Sequence, residues 1–201
     1  MASAISFRKE TDKVVWPQKM RRKDYPHNPT HIFADDTLYF ITAAIYQKRP
    51  LLQAPQLKQL LLERIRSCFD KYKWELHHWV ILDNHYHLLG KSWVGQDLSK
   101  IMTEIHAFSG YQIKQVSQTQ ERVWWNYWDY CPRNEQDYMI RLVYLLNNPV
   151  KHGYVANLHD YPFSSFHEAL AIHGSEKLRQ QFQTHPEFRT LVLREAYDDE
   201  F

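Results

Sequence analysis

Glycine is scarce in this chain, with five among 201 residues, which excludes a Gly-rich phosphate-binding loop as the seat of its chemistry. Cysteine is scarcer. Cys68 and Cys131 are too few for a disulfide scaffold or a Cys-based zinc site, and a reducing cytoplasm is the expected compartment. No run approaches the ~20 apolar residues that span a bilayer, and the N-terminus, charged from Arg8 onward, lacks the apolar core of a signal peptide. Charge of one sign is missing too: a formal net charge of +2 means that any nucleic-acid reading must rest on local clusters. Aromatic residues, by contrast, are plentiful, with seven Trp, thirteen Tyr and ten Phe. With ordinary hydrophobic content and this length, the chain suits one globular domain with extensions.

Residues 1–37 show no periodicity and carry Lys19, Arg21, Arg22 and Lys23 close together before Pro26 and Pro29. They read as an irregular basic arm, settling onto the domain near His31 or Phe33, whose cations could grip phosphates. Leu38 to Tyr46 is a nearly continuous apolar, β-forming run, the pattern of a central strand. From Gln56 to Lys73 apolar residues recur every three or four positions, predicting an amphipathic helix that packs on the sheet. Trp74 to Leu82 and His85 to Lys91 read as two strands joined by a tight turn at Asp83 and Asn84. A second helix follows from about Gln96 to Ser117, and the aromatic stretch Arg122 to Cys131 suits a fourth strand. Asn134 is placed to cap a third helix from Glu135 to Asn148, which Pro149 is expected to stop. A further helix is possible around Ser165 to His173. The order strand, helix, strand, strand, helix, strand is the split βαβ arrangement of an α+β, ferredoxin-like domain with an antiparallel sheet and one appended helix.

Two features stand out against this frame. His85 and His87 lie two apart on a strand, so their imidazoles project from one face and can share a metal ion. On the third helix, Tyr138, Met139, Leu142, Val143, Leu145 and Leu146 form a broad apolar stripe, whereas Tyr144 falls on the other side with Asp137, Arg141 and Asn148. A phenol, two imidazoles and an amide are a suitable set for metal-assisted phosphodiester cleavage, in which the phenol attacks phosphorus. Each feature alone has an ordinary structural explanation, as a core histidine or a boundary tyrosine. Their combination is what points to chemistry.

The stretch NHYHLL at Asn84 to Leu89 resembles the His-hydrophobic-His motif of HUH endonucleases. VYLLNNPVKHGYV followed by DYPFSSF closely resembles the C-terminal signature of REP-associated tyrosine transposases. The resemblance spans roughly Ile41 to Phe166 and departs from the family at Asp83, where Pro is common. It implies a ferredoxin-like core, Mg²⁺ or Mn²⁺, and cleavage of single-stranded DNA beside palindromic hairpins through a 5′-phosphotyrosine intermediate with a free 3′-hydroxyl. By position, His85 and His87 match the motif histidines, Tyr144 the nucleophile and Asn148 the polar residue one turn on, a third metal ligand. Arg21, Arg22, Lys23, Arg133, Arg141 and Lys151 are the expected DNA contacts. The expected organisation is a basic arm over 1–37, a catalytic domain over 38–166 and an extension over 167–201, acting as a monomer.

Rival readings share these residues. A hairpin-binding regulator would keep the fold without cleaving DNA. A zinc hydrolase would add Asp83 or Asp97 to the histidine pair, although no HExxH pattern supports it. Within the transposase reading, Tyr111 competes with Tyr144, because Gln115 follows it at a Tyr-x-x-x-Gln spacing that resembles insertion-sequence relatives.

Overall fold

The structure is a computed structural model describing residues 21–25 and 28–193. Its centre is a four-stranded sheet in the order β4-β5-β3-β6, built from β3 (Leu38–Ile45), β4 (Glu75–Ile81), β5 (His85–Lys91) and β6 (Trp124–Tyr130). Every neighbouring pair is antiparallel. Helix α1 (Pro55–Lys71) joins β3 to β4, and α2 (Leu98–Ser117) joins β5 to β6. This is the ferredoxin-like order that the alternation of elements predicts.

Both faces of the sheet are covered, which is why β3 is buried along its whole length and reads as an unbroken apolar run. Residues alternating along β3 and β5, among them Tyr39, Ile41, Tyr86 and Leu88, enter one core with Leu61, Ile65, Ile101 and Ile105 of α1 and α2. Their neighbours Phe40 and Leu89 enter a second core with Val80, Leu142, Val143 and Leu146. That second core is roofed by α3 (Glu135–Lys151) and α4 (Phe166–Thr184), with Phe188 and Leu193 beyond them. Gly90 marks the tightest approach: a Cβ there would lie 2.5 Å from the Glu75 carbonyl oxygen and 2.9 Å from the Phe69 ring.

Three expectations need correction. The arm is not irregular where it is described, since β1 (Arg21–Tyr25) and β2 (Asn28–Phe33) form an antiparallel ribbon with Arg21, Arg22 and Lys23 opposite Phe33, Ile32 and His31. Lys19 lies outside the described residues. The ribbon reaches the β6 edge through Asp129, whose carboxylate accepts from the Ile32 backbone N–H (2.7 Å) and pairs with His31 Nδ1 (2.5 Å). Nothing in the local sequence of 21–33 signals this, because the partner is almost a hundred residues away.

Second, α3 does not stop at Asn148. It runs through Pro149 to Lys151 and ends with Gly153 at φ 72. Proline removes one backbone donor, a small loss in a last turn that burial of Asn148 and Pro149 holds in place. Third, the helix expected around Ser165 to His173 is present as the first part of α4, but the charged stretch after it is not irregular: beyond a kink at the non-helical Gly174 (φ 78) the chain is helical again to Thr184. The segment before it covers the β4 edge: Ile81 donates its N–H to the Phe163 carbonyl (2.9 Å), and Ser165 donates to the Trp79 carbonyl (2.8 Å).

Candidate active site

The second core encloses a cluster of polar groups between β5 and α3. His85 and His87 alternate with Tyr86 on β5, so both imidazoles face α3 while the Tyr86 hydroxyl meets His106 on α2 (3.0 Å). The two imidazole rings are 5.1 Å apart, centroid to centroid. Each is held from behind. His85 Nδ1 lies 2.6 Å from Asn84 Oδ1, and the amide orientation is set by Asn84 Nδ2 donating to the Lys48 carbonyl (3.1 Å). An amide oxygen only accepts, so the proton of neutral His85 sits on Nδ1 and its Nε2 lone pair faces inward. His87 Nδ1 is held by Thr42 Oγ1 at 2.8 Å, a hydroxyl that can donate or accept.

The inward nitrogens are unusual for a protein interior. His85 Nε2 lies within hydrogen-bond distance of Asn148 Oδ1, at 3.3 Å, longer than the Asn84 contact on the other side of the ring. His87 Nε2 is buried with no hydrogen-bond partner among the described residues. Burial pushes His85 down to about 3, with His152, Lys151 and Lys48 adding cationic pressure against a weaker opposing bond to Asn148. His87 is driven well down by the same burial and by His85. Both imidazoles are therefore neutral at physiological pH, as ligation requires. Two imidazole nitrogens and an amide oxygen on one side of β5, with His87 Nε2 unpaired among the described residues, are a donor set that fits a divalent cation.

Tyr144 stands beside this cluster. Its ring meets the edge of His87 (5.6 Å) and of Phe40 (6.3 Å), and it is 6 % exposed. The side of α3 that the helical wheel separates from the apolar stripe is thus buried as well: Arg141, Tyr144 and Asn148 all lie in the interior. The helix is covered on both sides, by the sheet on one and by α4 and the Pro186–Arg189 turn on the other. Asn148 turns its Nδ2 back to the Tyr144 carbonyl (3.5 Å). The additional turn past Pro149 brings His152 to 5.1 Å from the His85 ring and Lys151 Nζ to 3.0 Å from the Tyr144 hydroxyl.

The other expected contacts divide. Arg141 is not open to solvent: its guanidinium lies 3.6 Å from the centre of the Tyr130 ring and its Nε donates to Asp137 (3.1 Å), so it braces α3 against β6. Arg133 is exposed beside it, donating to the Tyr130 hydroxyl at 3.0 Å. For Arg21, Arg22 and Lys23 only the ribbon's backbone register is described. Tyr111 is 61 % exposed on α2, the helix that packs against the opposite face of the sheet.

The carboxylates of the zinc rival are engaged elsewhere, Asp83 by Lys58 at 2.6 Å and Asp97 by Lys100 at 2.7 Å. Among the described residues no cluster of three His, Cys, Asp or Glu could hold a metal ion. Sequence reasoning missed Thr42 and Asn84. A lone Thr inside an apolar strand and an Asn abutting the motif were the available signals.

This geometry agrees with what the chain is similar to. A family model described as Transposase IS200 like matches residues 35–133, the sheet with α1 and α2, ending just before α3. The chain is 31% identical over 134 residues to a REP-associated tyrosine transposase of Escherichia coli, covering 66% of this chain and 78% of that protein. The chain belongs to the REP-associated tyrosine transposase family. A Haemophilus influenzae protein, described as a putative REP-associated tyrosine transposase, is 25% identical over 146 residues, covering 67% of this chain and 82% of its own. The fold is also that of a solved REP-associated tyrosine transposase bound to a REP hairpin, at TM-score 0.59 and 28% identity, covering 74% of this chain and 86% of that one. Among the described residues no helix is long and apolar enough to cross a membrane.

Proposed function

We propose that this transposase-family chain is a DNA nicking and strand-transfer enzyme that acts on single-stranded DNA beside hairpin repeats, with Tyr144 as nucleophile. One observation carries the reading: the inward nitrogens of His85 and His87 and the amide oxygen of Asn148 lie together beside Tyr144, whose ring meets the edge of His87. In the reaction the Tyr144 oxygen attacks phosphorus and forms the Tyr–O–P bond. The P–O3′ bond breaks, and the proton released by the phenol reaches the departing 3′-oxygen through solvent. A 5′-phosphotyrosine and a free 3′-hydroxyl result, and the 3′-hydroxyl of another strand can reverse the step. His85, His87 and Asn148 would hold Mg²⁺ or Mn²⁺, which would supply Lewis-acid stabilisation of the charge developing on the phosphate. Asn84 and Thr42 fix the two imidazoles, so their donor atoms need no reorganisation.

Incubating the protein with Mg²⁺ and a DNA hairpin bearing a single-stranded flank tests this. The expected product is a nicked strand covalently attached to protein and stable to denaturing electrophoresis, with the modified peptide carrying Tyr144. Tight hairpin binding without an adduct would instead identify a non-cleaving regulator on the same fold.

A further inference from the structure

The turn of α3 beyond Pro149 places a cation on the atom that the proposed reaction uses. Lys151 lies seven residues after Tyr144, two turns along the same side of the helix. Its Nζ donates to the Tyr144 hydroxyl at 3.0 Å and sits 4.4 Å from the ring centroid. The lysine is exposed whereas the tyrosine is buried, so the ammonium lies on the solvent side of the phenol oxygen. Among the described residues it is that hydroxyl's hydrogen-bond partner. A protonated amine has donors and no acceptor, so it cannot take the phenol's proton. What it can do is orient the oxygen and hold negative charge there.

We propose that Lys151 is a catalytic residue rather than a general DNA contact: its ammonium stabilises the charge on the Tyr144 oxygen during attack on phosphorus and again when that oxygen is expelled. The inference rests on the transposase reading above. In the forward step the Tyr–O–P bond forms, P–O3′ breaks and the phenol proton passes to the 3′-oxygen through solvent, with Lys151 charged throughout. In the reverse step a 3′-hydroxyl attacks, Tyr–O–P breaks, and the phenoxide rests against the ammonium until solvent reprotonates it. A DNA strand seated against the phenol would displace water and lower the local dielectric, which strengthens a charge-assisted bond that water screens in the free protein.

The test measures adduct formation at saturating hairpin DNA with Mg²⁺, hairpin affinity, and strand rejoining from the isolated adduct, in wild type, Lys151→Gln and Lys151→Arg. Lys151→Gln should slow adduct formation and rejoining alike, by about 10- to 100-fold, as for loss of one donor to a developing oxyanion. Its hairpin affinity should stay within about threefold and its melting temperature unchanged, since the side chain is exposed. Lys151→Arg should recover most of the rate, because a guanidinium can also donate to the oxygen. Wild-type adduct rates in Lys151→Gln, or a defect that disappears at saturating DNA, would overturn the assignment and leave Lys151 a phosphate contact. A wild-type protein that binds the hairpin but forms no adduct would instead overturn the reading beneath it, and this role with it.

Discussion

The two faces of the central sheet are made from the same strands and yet solve different problems. On the α1 and α2 face, Tyr86 and Leu88 join an aliphatic and aromatic core in which the Tyr86 hydroxyl pairs with His106 and only the Trp79 indole nitrogen, among that core's described residues, is buried without a hydrogen-bond partner. On the α3 face, one residue away in each direction, His85 and His87 share the interior with Thr42, Asn148 and Tyr144, and His87 Nε2 is left without a hydrogen-bond partner among the described residues. An unsatisfied buried polar atom costs stability that folding alone does not recover. Both faces carry such an atom, at Trp79 and at His87; what sets the α3 face apart is that two imidazoles, an amide and a phenol lie together there, over a scaffold formed by the other face.

Substitutions separate the two roles. The largest effect is expected for Tyr144→Phe, which removes only the hydroxyl: covalent adduct should fall below detection, while hairpin binding measured by gel shift stays near wild type. Adduct formation by Tyr144→Phe would remove the nucleophile from the α3 face. Next comes His87→Ala, for which cleavage should drop by at least about 100-fold and Mn²⁺ affinity, read by calorimetry, should fall with it. Hairpin binding should survive, since phosphate contacts supply most of such affinity. An unfolded His87→Ala protein would mean that the imidazole is a packing residue, and the contrast between the faces would collapse.

Leu88→Ala, adjacent in sequence but on the scaffold face, should behave the other way round. Urea unfolding should show a loss of about 2–5 kcal/mol, with the adduct rate of the folded fraction unchanged. Acid should act on both faces alike and so serves as a control. His106 on the scaffold side and His78, which contacts Ser165, are each pushed down to about 3 by burial. Their unfolded values lie near 6.5, so the unfolded chain takes up protons first. The stability they support is complete above about pH 6.5 and is lost as pH falls towards 3, at up to about 1.4 kcal/mol per unit for each group. A urea midpoint that holds constant between pH 7 and 4.5 would contradict their burial as neutral rings. The smallest effect is expected for Tyr111→Phe: exposed on the scaffold side, it should cleave at the wild-type rate, and an adduct mapped to Tyr111 would invert the assignment of the faces.

Much of this was legible in the chain itself because it depends on local periodicity. Alternation along a strand puts His85 and His87 on one side, and the 3.6-residue repeat puts Arg141, Tyr144 and Asn148 on one side of a helix. Asn134 caps α3 as its sequence indicates, accepting from the Asp137 N–H at 2.8 Å, and the succession of elements carries the ferredoxin-like order. The resemblance at NHYHLL and VYLLNNPVKHGYV tied the two sides together before any coordinates did.

Tertiary structure decided whatever depends on contacts between distant residues. Periodicity separates the polar side of α3 from its apolar side but cannot say that both are buried; that follows from the sheet and α4 enclosing the helix together. Pro149 predicts a stop, and burial of the turn carries the helix past it, which alone delivers Lys151 to the phenol and His152 to His85. The ribbon of the basic arm exists against Asp129 of β6, and the tautomer of His85 is set by an amide that Lys48 orients. Each is a long-range pairing whose energy appears only once the chain has closed, so no reading along the sequence contains it.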